Sequence, residues 1–277
     1  MMLQAAGRRL ATSRLVCCRI GADKRYALTM PLDDIPHWLH PLFGDTPGSS
    51  LLVGGVGHLL LNREEEAVVS AALESRVLPM LREMADSRTI TLFNGLAPGA
   101  DFLLMDRATS WCRRNGVPLR KVGLCAVPAR LLIEDWIHRA QRDGYTLSEA
   151  DRQKLHADLQ THLDDCDALV HFYRADEEAL LNEAEQRQER YRHQAAVLAQ
   201  YSDMLVAILH DGHDGKAGGT TEVVAWRQHP AHIPALYSTR RLDQPPSAEN
   251  GLMVINPKPA KLTVSRLGGD AKTNKVL

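Results

Sequence analysis

Met204-Leu205-Val206-Ala207-Ile208-Leu209 is an unbroken apolar run, and it is followed by Gly218-Gly219-Thr220-Thr221-Glu222. A strand with no polar alternation is one covered on both faces, which is the habit of parallel sheets packed between helices. The glycine pair then opens a segment, Thr220 to about Gln228, that reads as a helix. Four other apolar runs behave alike: Leu51-Leu52-Val53, Thr89-Ile90-Thr91-Leu92-Phe93, Leu119 to Val127, and Ala168-Leu169-Val170-His171-Phe172. Between them lie helical patterns over about 64–86, 101–114, 130–165 and 177–200. In the last, Leu180, Leu181, Ala184, Tyr191, Ala195 and Leu198 form the buried stripe of an otherwise solvated face. Strand alternating with helix predicts an α/β fold, a Rossmann-like, mostly parallel sheet with helices on both faces.

Punctuation supports these boundaries. Asn115-Gly116 stops one helix, and Ser148-Glu149-Ala150-Asp151 starts another after a break at Gly144-Tyr145-Thr146. Ile233 to Tyr237 reads as a further strand, and Leu252 to Ile255 as an edge strand. One domain is expected over 48–257. Residues 1–47 read as a poorly ordered extension or short helices, and 258–277 as a flexible tail.

Composition narrows the function. Hydrophobic residues make up 44% of the 277 residues, enough for a full core. A formal net charge of -1 and an aromatic content of only 5% leave neither the basic footprint nor the stacking platforms of a nucleic-acid binder. No apolar stretch reaches the length of a membrane span. Five cysteines, without metal-ligand spacing, read as ordinary thiols of a reducing cytoplasm. Residues 1–30 carry six basic side chains (Arg8, Arg9, Arg14, Arg19, Lys24, Arg25) against Asp23 alone. A transit peptide, a start assigned too early and a disordered extension all fit that pattern.

Three glycine-bearing segments follow strands: Gly54-Gly55-Val56-Gly57-His58, Asn94-Gly95-Leu96-Ala97-Pro98-Gly99-Ala100-Asp101, and Gly218 to Glu222. Bare backbone and the N–H groups of a helix N-terminus favour an anion. At the carboxyl ends of parallel strands they point to a phosphate-bearing small molecule. Thr220 and Thr221 offer hydroxyls. Glu222 in a first helical turn accepts from ribose hydroxyls or serves as acid or base, and the same residues also suit a simple helix cap. Asp101 bonds a ribose or caps its own helix. His58 stands where the crevice is expected. His210-Asp211-Gly212-His213-Asp214 lacks a third ligand at metal spacing, so no metal is expected. Without a GxGxxG fingerprint or a Walker lysine, neither a standard NAD site nor any other resident cofactor is expected.

In order and spacing, these blocks, with Ser202 to Gly212 and the continuation Val223-Val224-Ala225-Trp226, resemble the SLOG superfamily over about residues 51–238. That superfamily joins the DNA-processing Smf/DprA proteins to the Lonely Guy phosphoribohydrolases, and the match is to its bacterial Rossmann-like branch. The resemblance implies binding of a nucleotide or nucleotide-derived ligand, ADP-ribose-like or a nucleoside phosphate, in a sensor module that forms a homodimer. The alternative it implies is N-glycosidic hydrolysis of nucleoside monophosphates, with Glu222 in the place of the catalytic Glu, assisted by Asp101 or His58. The ligand contacts it implies are Gly54, Gly55, Gly57, His58, Asn94, Gly95, Pro98, Gly99, Ala100, Asp101, Asp211, Gly212, Gly218, Gly219, Thr220, Thr221 and Glu222. Leu59, Asn94 and His210 stand where the family has Arg, Ser and Trp. Without that Arg, a phosphate relies more on backbone N–H groups.

Overall fold

A computed structural model describes residues 26–29, 50–58, 60–210, 217–238, 251–258, 260–266 and 275–276. Its strands are β1 (Tyr26–Thr29), β2 (Ser50–Gly57), β3 (Thr89–Asn94), β4 (Leu119–Cys125), β5 (Ala168–His171), β6 (Met204–Ile208), β7 (Gly251–Pro257), β8 (Ala260–Arg266) and β9 (Lys275–Val276). They form one sheet in the order β1-β5-β4-β3-β2-β6-β7-β8-β9. The strands from β1 to β7 pair in parallel, and β8 and β9 are added antiparallel. This is the α/β, Rossmann-like architecture expected. From β2 the chain builds outward through β3, β4 and β5, then returns beside β2 as β6. The switch of direction lies between β2 and β6, where open parallel sheets place their ligand crevice.

The unbroken run of β6 behaves as its composition requires. Met204, Val206 and Ile208 enter one apolar layer, Leu205 and Ala207 the other, since successive side chains of a strand alternate. The first layer packs under α1 (Arg63–Ala72), α2 (Leu78–Ala85), α3 (Ala100–Asn115), α4 (Ala129–Arg142) and α5 (Glu149–Asp165). The second packs under α6 (Ala184–Tyr201) and α7 (Thr220–Gln228). A π-helical turn, Leu73–Val77, joins α1 to α2. Pro79 lies at the start of α2; without an N–H and with a ring that crowds the preceding turn, it favours that widening.

Local signals for the helix ends hold. Asn62 accepts from the N–H groups of Glu64 and Glu65, both at 3.0 Å, and Glu65 Oε2 accepts from Asn62 N–H at 2.9 Å, a complete capping box. Ser148 and Asp151 make the same box at the start of α5. Gly116 ends α3 in a left-handed conformation, φ 63°.

Other expectations are corrected. Gly54 to Gly57 is not a turn but the second half of β2. A Cβ at Gly54 would lie 2.1 Å from Ser202 Oγ, and one at Gly55 would lie 2.5 Å from Leu104 Cδ2, so these glycines admit close packing. Ile233 to Tyr237 is no strand: a 3-10 turn, Pro230–His232, leads into further turns that bury Ile233 and Tyr237 in the second layer. Leu252 to Ile255 belongs to β7, interior rather than edge, because β8 pairs with β7 from Pro257–Ala260 to Gly251–Arg266. The flexible tail expected over 258–277 is thus in part sheet. In the expected extension, Tyr26–Thr29 pairs with β5. The helix expected over 177–200 begins only at Ala184, after short 3-10 turns, and every residue from His193 to Gln200 is buried rather than solvated. Among the described residues, no helix is long and apolar enough to cross a membrane.

Candidate functional site

A cleft of about 630 Å³ opens at the carboxyl ends of the central strands. Its floor is Val56 and Gly57 at the end of β2, Gly95, Ala97 and Asp101 after β3, and Gly218, Gly219 and Thr220 at the start of α7. Its walls are α4, through Leu132, Asp135, Trp136, His138, Arg139 and Arg142, and α6, through Arg187, Gln188, Tyr191, Gln194 and Leu198. The volume is that of a small-molecule site.

The segment after β3 is held by its own side chains. Asn94, fully buried, donates from Nδ2 to the Asp101 carbonyl at 3.0 Å and accepts at Oδ1 from Leu96 N–H at 3.1 Å. Leu96 takes a left-handed φ of 53° and buries its side chain in the first layer. Gly99, φ 101°, opens α3 without a side-chain cap. Ala100 donates its N–H to the His58 carbonyl at 3.2 Å, and Trp136 Nε1 donates to the Pro98 carbonyl at 3.2 Å, so the turn is tied to β2 and to α4. Asp101 accepts from Ala97 N–H at 3.2 Å. Burial pushes its carboxyl up to about 7, against the pull of the Ala97 and Gly95 amides.

The turn before α7 is held from outside. Gly218 has φ 76°, and a Cβ there would lie 2.7 Å from Tyr191 Cβ and 3.0 Å from the Tyr191 carbonyl carbon. Gly219 starts α7 without a side-chain cap. Glu222 does not line the cleft. Its carboxylate accepts from Gly218 N–H and, at 3.0 Å, from Arg192 Nη2 on α6.

Charge in the walls is unbalanced. Arg187 Nε donates to Asp135 Oδ2 at 3.1 Å, and its Nη1 donates to the Leu181 and Asn182 carbonyls, both at 2.9 Å. Tyr191 donates its phenol to the same Asp135 oxygen at 3.1 Å. Asp135 and Arg187 therefore neutralise each other. Arg139 forms no ion pair with the described residues, and Arg142 meets only Asp143, at 3.9 Å. Burial, then the neighbouring Arg142, lowers the pKa of Arg139, which remains a cation.

The structure thus brings Gly57, Gly95, Asp101, Gly218, Gly219 and Thr220 to one cleft. Gly54 and Gly55 lie within β2, and Asn94, Ala100, Thr221 and Glu222 stand behind the lining. Pro98 and Gly99 face a second cavity of about 580 Å³, on the far side of the shared Trp136. His58 does not line the cleft; its ring stacks on His210 with centroids 4.9 Å apart. Asp211 and Gly212, like His213 and Asp214, lie outside the described residues. Among the described residues, no group of three or more His, Cys, Asp or Glu side chains could hold a metal ion.

The wall residues are what reading the sequence missed. Arg139 and Arg142 had a signal, since positions three apart share one helix face. No protein-family model matches the chain, and a search of curated proteins returns no match to it.

Proposed function

We propose that the cleft binds a nucleotide or nucleotide-derived ligand, ADP-ribose-like or a nucleoside phosphate, and that the protein acts as a sensor module. One observation carries this reading. The N-terminus of α7, without a side-chain cap, and Arg139, a cation with no ion pair among the described residues, meet at a single cleft beside the switch of strand direction, with Arg142 one helical turn further along α4. Helix N-termini and arginines both favour phosphate. Asp101 repels phosphate when ionised, so its side of the cleft suits hydroxyl donors such as those of a ribose. The resemblance to the SLOG superfamily points the same way.

A second reading, N-glycosidic hydrolysis, is favoured by Asp101 alone. A buried carboxyl with a pKa of about 7 at the cleft floor suits proton transfer near neutrality. Glu222, engaged by Arg192 and Gly218, is poorly placed for it.

The test is a thermal-shift series with AMP, ADP, ATP, ADP-ribose, NAD and nucleoside monophosphates, followed by chromatography of each sample. A ligand at 100 times its Kd adds about 2.7 kcal/mol of stability. Stabilisation without breakdown supports the sensor. Release of free base, lost in Asp101→Asn, supports the hydrolase. No stabilisation by any of them overturns both.

A further inference from the structure

The turn Ala217-Gly218-Gly219 has no side chain long enough to hold itself, and it borders the cleft. Gly218 is pressed against the backbone of α6 at Tyr191 and Arg192 in a left-handed conformation. Such a turn needs an acceptor for its amide from elsewhere. Glu222, one helical turn into α7, supplies it with one carboxylate oxygen, and its other oxygen takes the Arg192 guanidinium. Arg192 is itself seated over the Tyr237 ring, 5.7 Å from the centroid. The chain Tyr237–Arg192–Glu222–Gly218 joins α6, α7 and the segment after α7 to one end of the cleft.

We propose that Glu222 is a positioning residue: it fixes the Gly218 turn against α6, so that the N-terminus of α7 is presented to the cleft, and it transfers no proton. A carboxylate already accepting from a backbone amide and a guanidinium, and absent from the cleft lining, is spent on that task. The role concerns the free protein and does not depend on the ligand. Only its consequence for affinity rests on the function proposed above.

Amide hydrogen exchange on the ligand-free full chain tests it. In Glu222→Ala the peptide spanning 217–221 exchanges faster by about tenfold or more, the loss expected for a hydrogen bond to a charged acceptor, while a β6 peptide is unchanged. Glu222→Gln keeps an oxygen for Gly218 and stays within about threefold of the native rate. Arg192→Ala, the second variant should Glu222→Ala fail to fold, raises exchange in the same peptide. With ADP-ribose as probe, affinity follows the exchange rate: nearly native in Glu222→Gln, reduced in Glu222→Ala. Native exchange in both Glu222→Ala and Arg192→Ala overturns the proposal. So does a Glu222→Gln protein with native exchange that has lost turnover of a nucleoside monophosphate, since that marks a proton-transfer role. Faster exchange in Glu222→Ala, with no ADP-ribose binding even by the native protein, upholds the anchor and refutes the ligand assignment instead.

Discussion

Gly218→Ala probes the cleft through a single methyl group. At φ 76° an alanine pays roughly 1 kcal/mol for the left-handed conformation alone. Its Cβ would also sit 2.7 Å from Tyr191 Cβ, 3.0 Å from the Tyr191 carbonyl carbon and 3.1 Å from Arg192 N. Two of these neighbours are helix backbone and cannot swing aside, so the overpacking adds about 2 kcal/mol. The sum is about 3 kcal/mol, which at a urea slope of about 3 kcal/mol per molar, fitting the size of a 277-residue chain, lowers the unfolding midpoint by about 1 M. Gly95→Ala is the matched control. The three atoms nearest its Cβ all belong to the Gln194 side-chain amide, at 3.1 to 3.3 Å, so relief needs a shift of a side chain that donates to the Leu124 carbonyl. A loss of about 1 kcal/mol or less is expected for it. Urea unfolding followed by far-UV circular dichroism compares the two. Equal midpoints, or a larger loss in Gly95→Ala, would refute the claim that the α7 turn is wedged against the α6 backbone.

Three other outcomes follow from the same geometry. The Asp101 carboxyl has its pKa raised from 3.8 to about 7, so the folded protein binds more protons than the unfolded chain in that window, and the stability tied to this group is lost as pH rises from about 4 through 7; urea midpoints of Asp101→Asn should therefore improve relative to native on going from pH 5 to pH 8, and a constant difference would contradict it. Arg139→Ala should weaken ADP-ribose binding about tenfold in calorimetry and reduce its dependence on salt, and unchanged affinity at low salt would remove Arg139 from the anion site. Arg227 is buried and donates to the carbonyls of Ala199, Asp203 and Gly251 at 2.9, 3.1 and 3.3 Å; Arg227→Ala leaves those acceptors without it and should cost about 3 kcal/mol in urea unfolding, whereas a cost under about 1 kcal/mol would show that they find other donors.

What was legible in the sequence was local. The apolar run of β6, the left-handed stop at Gly116 and the cap at Ser148 depend on a few adjacent residues. The glycines of β2 misled because glycine serves two needs. Here a neighbouring Ser202 or Leu104 fills the space a Cβ would take, and nothing near Gly54 in the sequence announces that. Ile233 to Tyr237 has the composition of a strand, but Pro230 precedes it, Pro234 lies within it, and it buries as turns against α6. The alternation of Leu262 and Val264 with polar neighbours in β8 was a readable strand signal, masked by the prolines and glycines around it. The walls of the cleft were not legible. Arg187 and Asp135 are 52 residues apart, and only the packing of α6 beside α4 shows that they cancel and leave Arg139 without an ion pair among the described residues.

The most direct measurement is a two-dimensional NMR titration of the full chain, labelled with 15N at glycine only, with ADP-ribose. Saturable shifts are expected at Gly57, Gly95, Gly218 and Gly219, which line the cleft, and none at Gly116, at the opposite end of α3. Absence of any shift at millimolar ligand, or shifts confined to glycines away from the cleft, would contradict binding there.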